Sequence, residues 1–157
     1  MEEIHPGEAA IERIADARRQ ISDIVHGKND RLLVVVGPCS IHDPDAAIDY
    51  AKRLKGLHDQ HSDDLFIVMR TYFEKPRTTV GWKGLINDPN LDGSFDINHG
   101  LRIARGLLSS LAELGLTAGT EYLERISPRL VGDLGCGRAV GARAPQLHRH
   151  PEHATHT

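Results

Sequence analysis

Short apolar runs alternate with amphipathic helical segments along this chain, and that alternation constrains the fold more than any other feature. The runs are Leu32-Leu33-Val34-Val35-Val36 and Leu65 to Met69, and a third strand is expected at about Thr117 to Tyr122. Five consecutive apolar residues rich in Val, closed by Gly37-Pro38, predict a strand buried on both faces, as strands of parallel sheets are. Between Glu8 and His26, Ile11, Ile14, Ile21, Ile24 and Val25 recur at helical spacing, with Glu12, Arg13, Arg18 and Asp23 among them. Asp43 is placed to cap a second helix with Pro44 in its first turn, and Ala47, Tyr50, Ala51, Leu54 and Leu57 form its apolar stripe. Ile97 to Leu114 is a third helix, with Leu101, Ala104, Leu108, Leu111 and Ala112 on one side and Gly115 beyond its end. Ser127-Pro128 predicts a short helix to Leu134, and Ala139 to Ala142 a fourth strand. Such an order signifies βα units on a parallel sheet, either an open doubly wound sheet or part of a (β/α)8 barrel. Periodicity does not choose between the two.

Composition narrows the class of partner. With 39% hydrophobic residues the chain can bury a core, and its net charge of −3 lacks the basic excess of a phosphate-backbone binder. Nucleic acid and membrane are therefore not expected as main partners. Two cysteines, Cys39 and Cys136, do not make a disulfide framework, and no N-terminal apolar stretch reads as a signal peptide, so a cytoplasmic protein is expected. The last ten residues hold four of the ten histidines without helical or strand periodicity, and a disordered tail is the expectation there rather than a shaped metal site.

Residues suited to chemistry gather after the second strand. Arg70, Lys75, Arg77 and Lys83 place four cations within fourteen residues against one acidic neighbour, Glu74. They begin at the C-terminal end of a strand, where ligands bind in both kinds of parallel architecture, and guanidinium groups hold phosphate or carboxylate with paired hydrogen bonds. The alternative is a solvated basic loop. Thr78 and Thr79 would add hydroxyl donors to the same anion, or serve as ordinary turn residues beside Pro76. Arg143, after the fourth strand, would reach the same rim if both strands end there, and is otherwise a surface arginine. Cys39, just past the first strand, is either a thiolate ligand for a divalent metal or a small buried side chain. His42 three residues later does not complete a metal motif. Glu121 would point into a barrel or crevice, to orient a lysine or water or to make a structural ion pair.

Three stretches in order, RLLVVVGPCSIHDP (31–44), IVMRTYFEKPRTTVGWKGLINDPNLDGSF (67–95) and NHGLRIARGLL (98–108), closely resemble the feedback-regulated, microbial-type class of 3-deoxy-arabino-heptulosonate-7-phosphate (DAHP) synthases. The likeness runs from about residue 10 to about residue 134, degrades around 135–143, and ends beyond Arg149. It implies an α/β fold, the first four or so βα units of a (β/α)8 barrel behind an N-terminal helix. The implied divisions are 1–30 (extension and helix), 31–143 (partial barrel) and 144–157 (divergent His-rich tail).

The activity implied is condensation of phosphoenolpyruvate with erythrose 4-phosphate, releasing phosphate, at the entry to the shikimate pathway of aromatic amino acid biosynthesis. Two anionic substrates require converging cations and a Lewis acid at the aldehyde oxygen. By resemblance, Cys39 matches a metal ligand (Mn, Fe, Zn or Co), and Arg70, Lys75, Glu121 and Arg143 match the phosphoenolpyruvate site, Lys75 being the catalytic lysine. Arg77 and Thr78 match residues that hold the phosphate of erythrose 4-phosphate. A homo-oligomer and an aromatic amino acid effector are also implied. The family's remaining metal ligands belong to the second half of the barrel, so these 157 residues are expected to be the N-terminal part of such an enzyme and inactive alone. A frameshift, a shortened gene or an artificially altered sequence would account for the tail. About four strands cannot close a barrel, and their open edges favour aggregation or association with another copy or a full-length subunit.

Overall fold

Four parallel strands in the order β1-β2-β3-β4 form the sheet of the computed structural model, which describes residues 6–75, 81–122 and 130–140. The elements are α1 (Glu8–Val25), β1 (Leu32–Val36), α2 (Pro44–Gln60), β2 (Leu65–Arg70), α3 (Ile97–Leu114), β3 (Thr117–Tyr122) and β4 (Gly137–Val140). Each strand is joined to the next by a crossover, and the pairing is continuous from Leu32 opposite Leu65 through Arg70 opposite Gly119 to Tyr122 opposite Val140. The α/β alternation read from the sequence is thereby realised as consecutive βα units.

Local chemistry explains where the helices start and stop. Asp43 caps α2 by accepting hydrogen bonds from the Asp45 and Ala46 N–H groups, with Pro44 in the first turn, where a missing N–H costs nothing. Asp96 caps α3 through the His99 N–H, and Gly115 closes that helix in the left-handed region at φ 79°.

Two faces of the sheet are covered differently. Ile67, Met69 and Ala118 join the α2 and α3 residues Ala51, Leu54, Leu101, Leu108 and Leu111 in the main core. On the other face Phe66 and Val68 meet Ala17 of α1, with Ile21, Ile24 and Leu33 against them. Helix α1 is tied down by arginines: Arg13 Nε donates to the Ala112 carbonyl at 3.0 Å, and Arg18 donates to the carbonyls of Gly132, Asp133 and Gly135. Arg105 grips Asp133 with two 2.8 Å hydrogen bonds. Burial pushes the Asp133 carboxyl pKa up, but the Arg105 guanidinium and two backbone N–H groups outweigh it and hold the group below its ordinary value.

Several expectations need correction. β1 is not buried on both faces: Leu32 is 64% exposed, Val35 58% and Val36 38%, because β1 is an edge strand with no neighbour beyond it among the described residues. Leu57, assigned to the α2 stripe, is exposed near that helix's end, whereas Ala47, Ala51 and Leu54 are buried. β4 begins at Gly137, two residues before the expected start. Of the short helix expected from Ser127, residues 127–129 lie outside the described residues, and the part described is helical only at Leu130 and Val131.

A cavity of about 420 Å³ sits between α1 and the N-terminal ends of β2 and β3, lined by Arg13, Ala17, His58, Phe66, Thr117 and Cys136 among others. Burial pushes the Cys136 thiol up to about 11, so it is a neutral, inert lining group. His58 packs its ring edge-on against Phe66, and its Nδ1 is buried without a hydrogen-bond partner.

Two predictions follow from this packing. A Cβ on Gly100 of α3 would stand 2.3 Å from the Ile86 carbonyl oxygen and 2.5 Å from that of Leu85. Helix propensity favours Gly100→Ala by about 1 kcal/mol, yet overpacking against backbone typically costs roughly 1–3 kcal/mol or more. The clash wins, and urea unfolding should show a net loss of about 2 kcal/mol. His58 has its pKa lowered from 6.5, chiefly by burial, with Lys55 and Arg31 adding to the fall and Asp59 opposing it. A depressed folded pKa stabilises the fold above pH 6.5 and loses that contribution as pH falls through the folded value. Urea midpoints measured down this range should therefore fall more steeply for the parent chain than for His58→Leu.

Candidate active site at the strand C-termini

Parallel strands deliver their C-terminal ends to one rim, and among the described residues Cys39, Arg70, Lys75 and Glu121 stand at or just beyond those ends. Arg70 ends β2, and Gly119 is its register partner on β3. Residues paired across a sheet share a face and alternate residues return to it, so Glu121 stands on the face of Arg70, one step further toward the rim. This is the face opposite α2 and α3, because Met69, one residue before Arg70, is in the main core.

The chain beyond β1 crosses this rim. Gly37 passes so close to β2 that a Cβ on it would lie 2.7 Å from the Arg70 carbonyl oxygen. Glycine at that position lets the segment that follows reach the end of β2, and the Ile41 N–H donates to the Tyr72 carbonyl at 2.8 Å. Cys39 is thereby carried to Lys75, whose Nζ donates to its Sγ at 3.2 Å. Cys39 is exposed, and no disulfide joins it to Cys136.

The three described cations, Arg70, Lys75 and Lys83, do not converge as one cluster. The Arg70 guanidinium stacks 3.9 Å from the centroid of the Tyr72 ring, Lys75 faces Cys39, and Lys83 Nζ lies 5.4 Å from the centre of Phe95. Lys75 and Lys83 are linked through their backbones, the Lys75 N–H donating to the Lys83 carbonyl. Lys75 therefore meets Cys39 at the rim, Arg70 stacks on Tyr72 at the end of β2, and Lys83 lies by Phe95. Glu74, read as the acidic neighbour of an exposed basic loop, is buried at 6% exposure. Arg77, Thr78, Thr79 and Arg143 lie outside the described residues, as does the His-rich tail.

Tyr72 was not among the residues singled out for chemistry. Its spacing of two from Arg70 is the signal that could have found it, since such a pair shares a face if the chain stays extended. Likewise Gly37 carried no visible role until the approach of the two strand ends was known.

Cys39 is a soft sulfur donor at an exposed position, in keeping with a transition-metal ligand. Among the described residues, however, no group of three or more His, Cys, Asp or Glu side chains is gathered to hold a metal ion. A transition-metal site of the usual kind has three or four protein ligands, so these residues do not make one by themselves. Among the described residues, no helix is long and apolar enough to cross a membrane.

Comparison with known proteins matches this geometry to a family. The model of the DAHP synthetase I family matches residues 8–157, a span that continues past Arg149, where the motif likeness fades. A Tyr-sensitive phospho-2-dehydro-3-deoxyheptonate aldolase of Escherichia coli is 57% identical over 143 residues, covering 91% of this chain and 40% of that protein. The Phe-sensitive enzyme of the same organism is 54% identical over 155 residues, covering 99% of this chain and 44% of that protein. A solved phospho-2-dehydro-3-deoxyheptonate aldolase from Francisella tularensis superposes with a TM-score of 0.90 at 51% identity, covering 94% of this chain and 44% of that one. This chain thus spans about two fifths of the length of these relatives. With its four-stranded parallel sheet, its strand-end site and a match from Glu8 to its last residue, the chain belongs to the DAHP synthetase I family.

Proposed function

We propose that this chain carries the substrate-cradling part of a DAHP synthase, the enzyme that condenses phosphoenolpyruvate with erythrose 4-phosphate and releases phosphate. The observation that carries the reading is the contact of Lys75 Nζ with Cys39 Sγ at 3.2 Å, on the rim where Arg70 ends β2. A catalytic lysine beside a metal-ligand cysteine is the juxtaposition such chemistry needs, and the two are thirty-six residues apart in sequence.

In this reading Arg70 and Lys75 hold phosphoenolpyruvate, joined by Arg143 from beyond β4. Their charges offset the repulsion between two anionic substrates, and a guanidinium offers the planar fork that carboxylate and phosphate require. Tyr72 holds the Arg70 guanidinium flat against its ring, reducing the freedom lost when the anion binds. Glu121, on the face of Arg70, orients the lysine or a water at the same site. Arg77 and Thr78 take the phosphate of erythrose 4-phosphate, which sets the aldehyde carbon opposite phosphoenolpyruvate. The family's divalent metal would polarise the aldehyde oxygen, with Cys39 as one of its ligands. The described residues supply too few donors to hold that metal by themselves.

The barrel of such enzymes closes with eight strands over roughly 250 residues. Residues 31–143 then form its first part, preceded by the helical extension 1–30 and followed by the tail 144–157. We take the effector to be an aromatic amino acid, in line with relatives named Tyr-sensitive and Phe-sensitive.

Calorimetric titration with phosphoenolpyruvate should show binding to the chain. Because a hydrogen bond to a charged group contributes roughly 1.5–3 kcal/mol, Arg70→Ala should weaken binding by about ten- to a hundredfold. Equal affinity of parent and variant would remove Arg70 from the site. In a phosphate-release assay with both substrates and Mn²⁺, these 157 residues alone should give no turnover above the metal-only control, and clear turnover would show that four strands suffice.

A further inference from the structure

We propose that the cavity beneath α1 is a binding site for a small uncharged aromatic alcohol, whose hydroxyl donates a hydrogen bond to His58 Nδ1. At about 420 Å³ the cavity is of the size that small-molecule sites have, and an apolar hollow of about 150 Å³ already holds one benzene ring. It is bordered by α1, the C-terminal ends of α2 and α3, the first residues of β2 and β3, and Cys136. All of these walls lie within the described residues between Ala9 and Cys136, so the cavity does not depend on either outer edge of the sheet.

The walls select an uncharged guest. Ile14, Ala17, Phe66, Ala112 and Leu116 line the cavity and are each buried to 6% exposure or less. Charge is confined to α1, where Glu12 and Arg13 are exposed and Asp16 is half-buried. Two carboxylates thus stand against one guanidinium, whose Nε is already committed to the Ala112 carbonyl, and this balance disfavours an anion such as phosphoenolpyruvate. A cation would have to leave water for apolar walls, which is costly without a buried partner.

The hydroxyl answers an unmet demand. Buried polar atoms are nearly always paired, yet His58 Nδ1 is buried with no partner among the described residues. Burial, the largest cause, holds the imidazole below its ordinary pKa, so the ring is neutral at neutral pH. With its proton on Nε2, Nδ1 is an acceptor. The rings of His58 and Phe66 both line the cavity and already meet edge-on at 6.1 Å between centroids, an arrangement that a third ring extends. An aromatic alcohol combines the donor with the flat apolar body.

Phenol and toluene, nearly alike in shape and differing in the hydroxyl, test the proposal. Titrating the ¹⁵N-labelled chain with phenol should shift the amides of Ala17, Phe66, Leu116 and Thr117 along one saturating curve. Toluene should bind about tenfold more weakly, the loss expected when a buried acceptor is left unpaired. His58→Leu should bring the two affinities together. Long-range ¹H–¹⁵N spectra of the His58 ring in the unsubstituted chain supply a second reading, which stands even if His58→Leu fails to fold: phenol should shift the Nδ1 resonance and toluene should not. The proposal would be overturned by the absence of saturable shifts at these amides. Equal affinities for phenol and toluene, an Nδ1 resonance indifferent to phenol, or a phenol preference that survives His58→Leu would each overturn it as well.

Discussion

The parallel register of β2 and β3 is the constraint on which the rest depends. Once Arg70 lies opposite Gly119, all strands point one way, Arg70 and Glu121 share a face, and the chain leaving β1 must cross the end of β2 to enter α2. A slip of one residue would turn Arg70 toward the α2–α3 core and expose Met69, exchanging a charge for an apolar side chain in both environments. Burial of Ile67, Met69, Leu108 and Leu111 therefore holds the site in register as well as stabilising the sheet.

The two ends of the sheet divide the work. At the C-terminal ends, exposed Cys39 meets half-buried Lys75, and Arg70 closes β2 stacked on Tyr72. At the N-terminal ends, α1 is fastened by Arg13 and Arg18 to backbone carbonyls and borders the 420 Å³ cavity, where Cys136 is held neutral by burial. Cys39 and Lys75 do not line this cavity. Enclosure at the lower end comes from a helix laid across the strands.

Much of this was legible in the sequence because it is local. The bounds of β1, α3 and β3, the Asp43 cap and the Gly115 stop depend on periodicity and capping within a few residues. Exposure of β1 was not legible, since an apolar run reads the same at an edge as at a centre, and only the count of neighbouring strands separates them. The contact of Cys39 with Lys75 and the approach of Gly37 to Arg70 were invisible for the same reason: each joins residues more than thirty apart through the register of two strands. Motif likeness did single out Cys39, Arg70, Lys75 and Glu121 before any geometry was known. It could not say that the basic run divides, with Lys83 turned to Phe95 and Arg70 stacked on Tyr72.

The central proposal is that the strand-end rim, and not the cavity beneath α1, receives phosphoenolpyruvate. Titrating the ¹⁵N-labelled chain with phosphoenolpyruvate and following its amide shifts tests this most directly. Arg70, Thr71, Lys75 and Glu121 should move together along a single binding curve while Arg13, His58 and Thr117 stay in place. Shifts confined to the cavity residues, or none at a phosphoenolpyruvate concentration that saturates a full-length relative, would contradict the account.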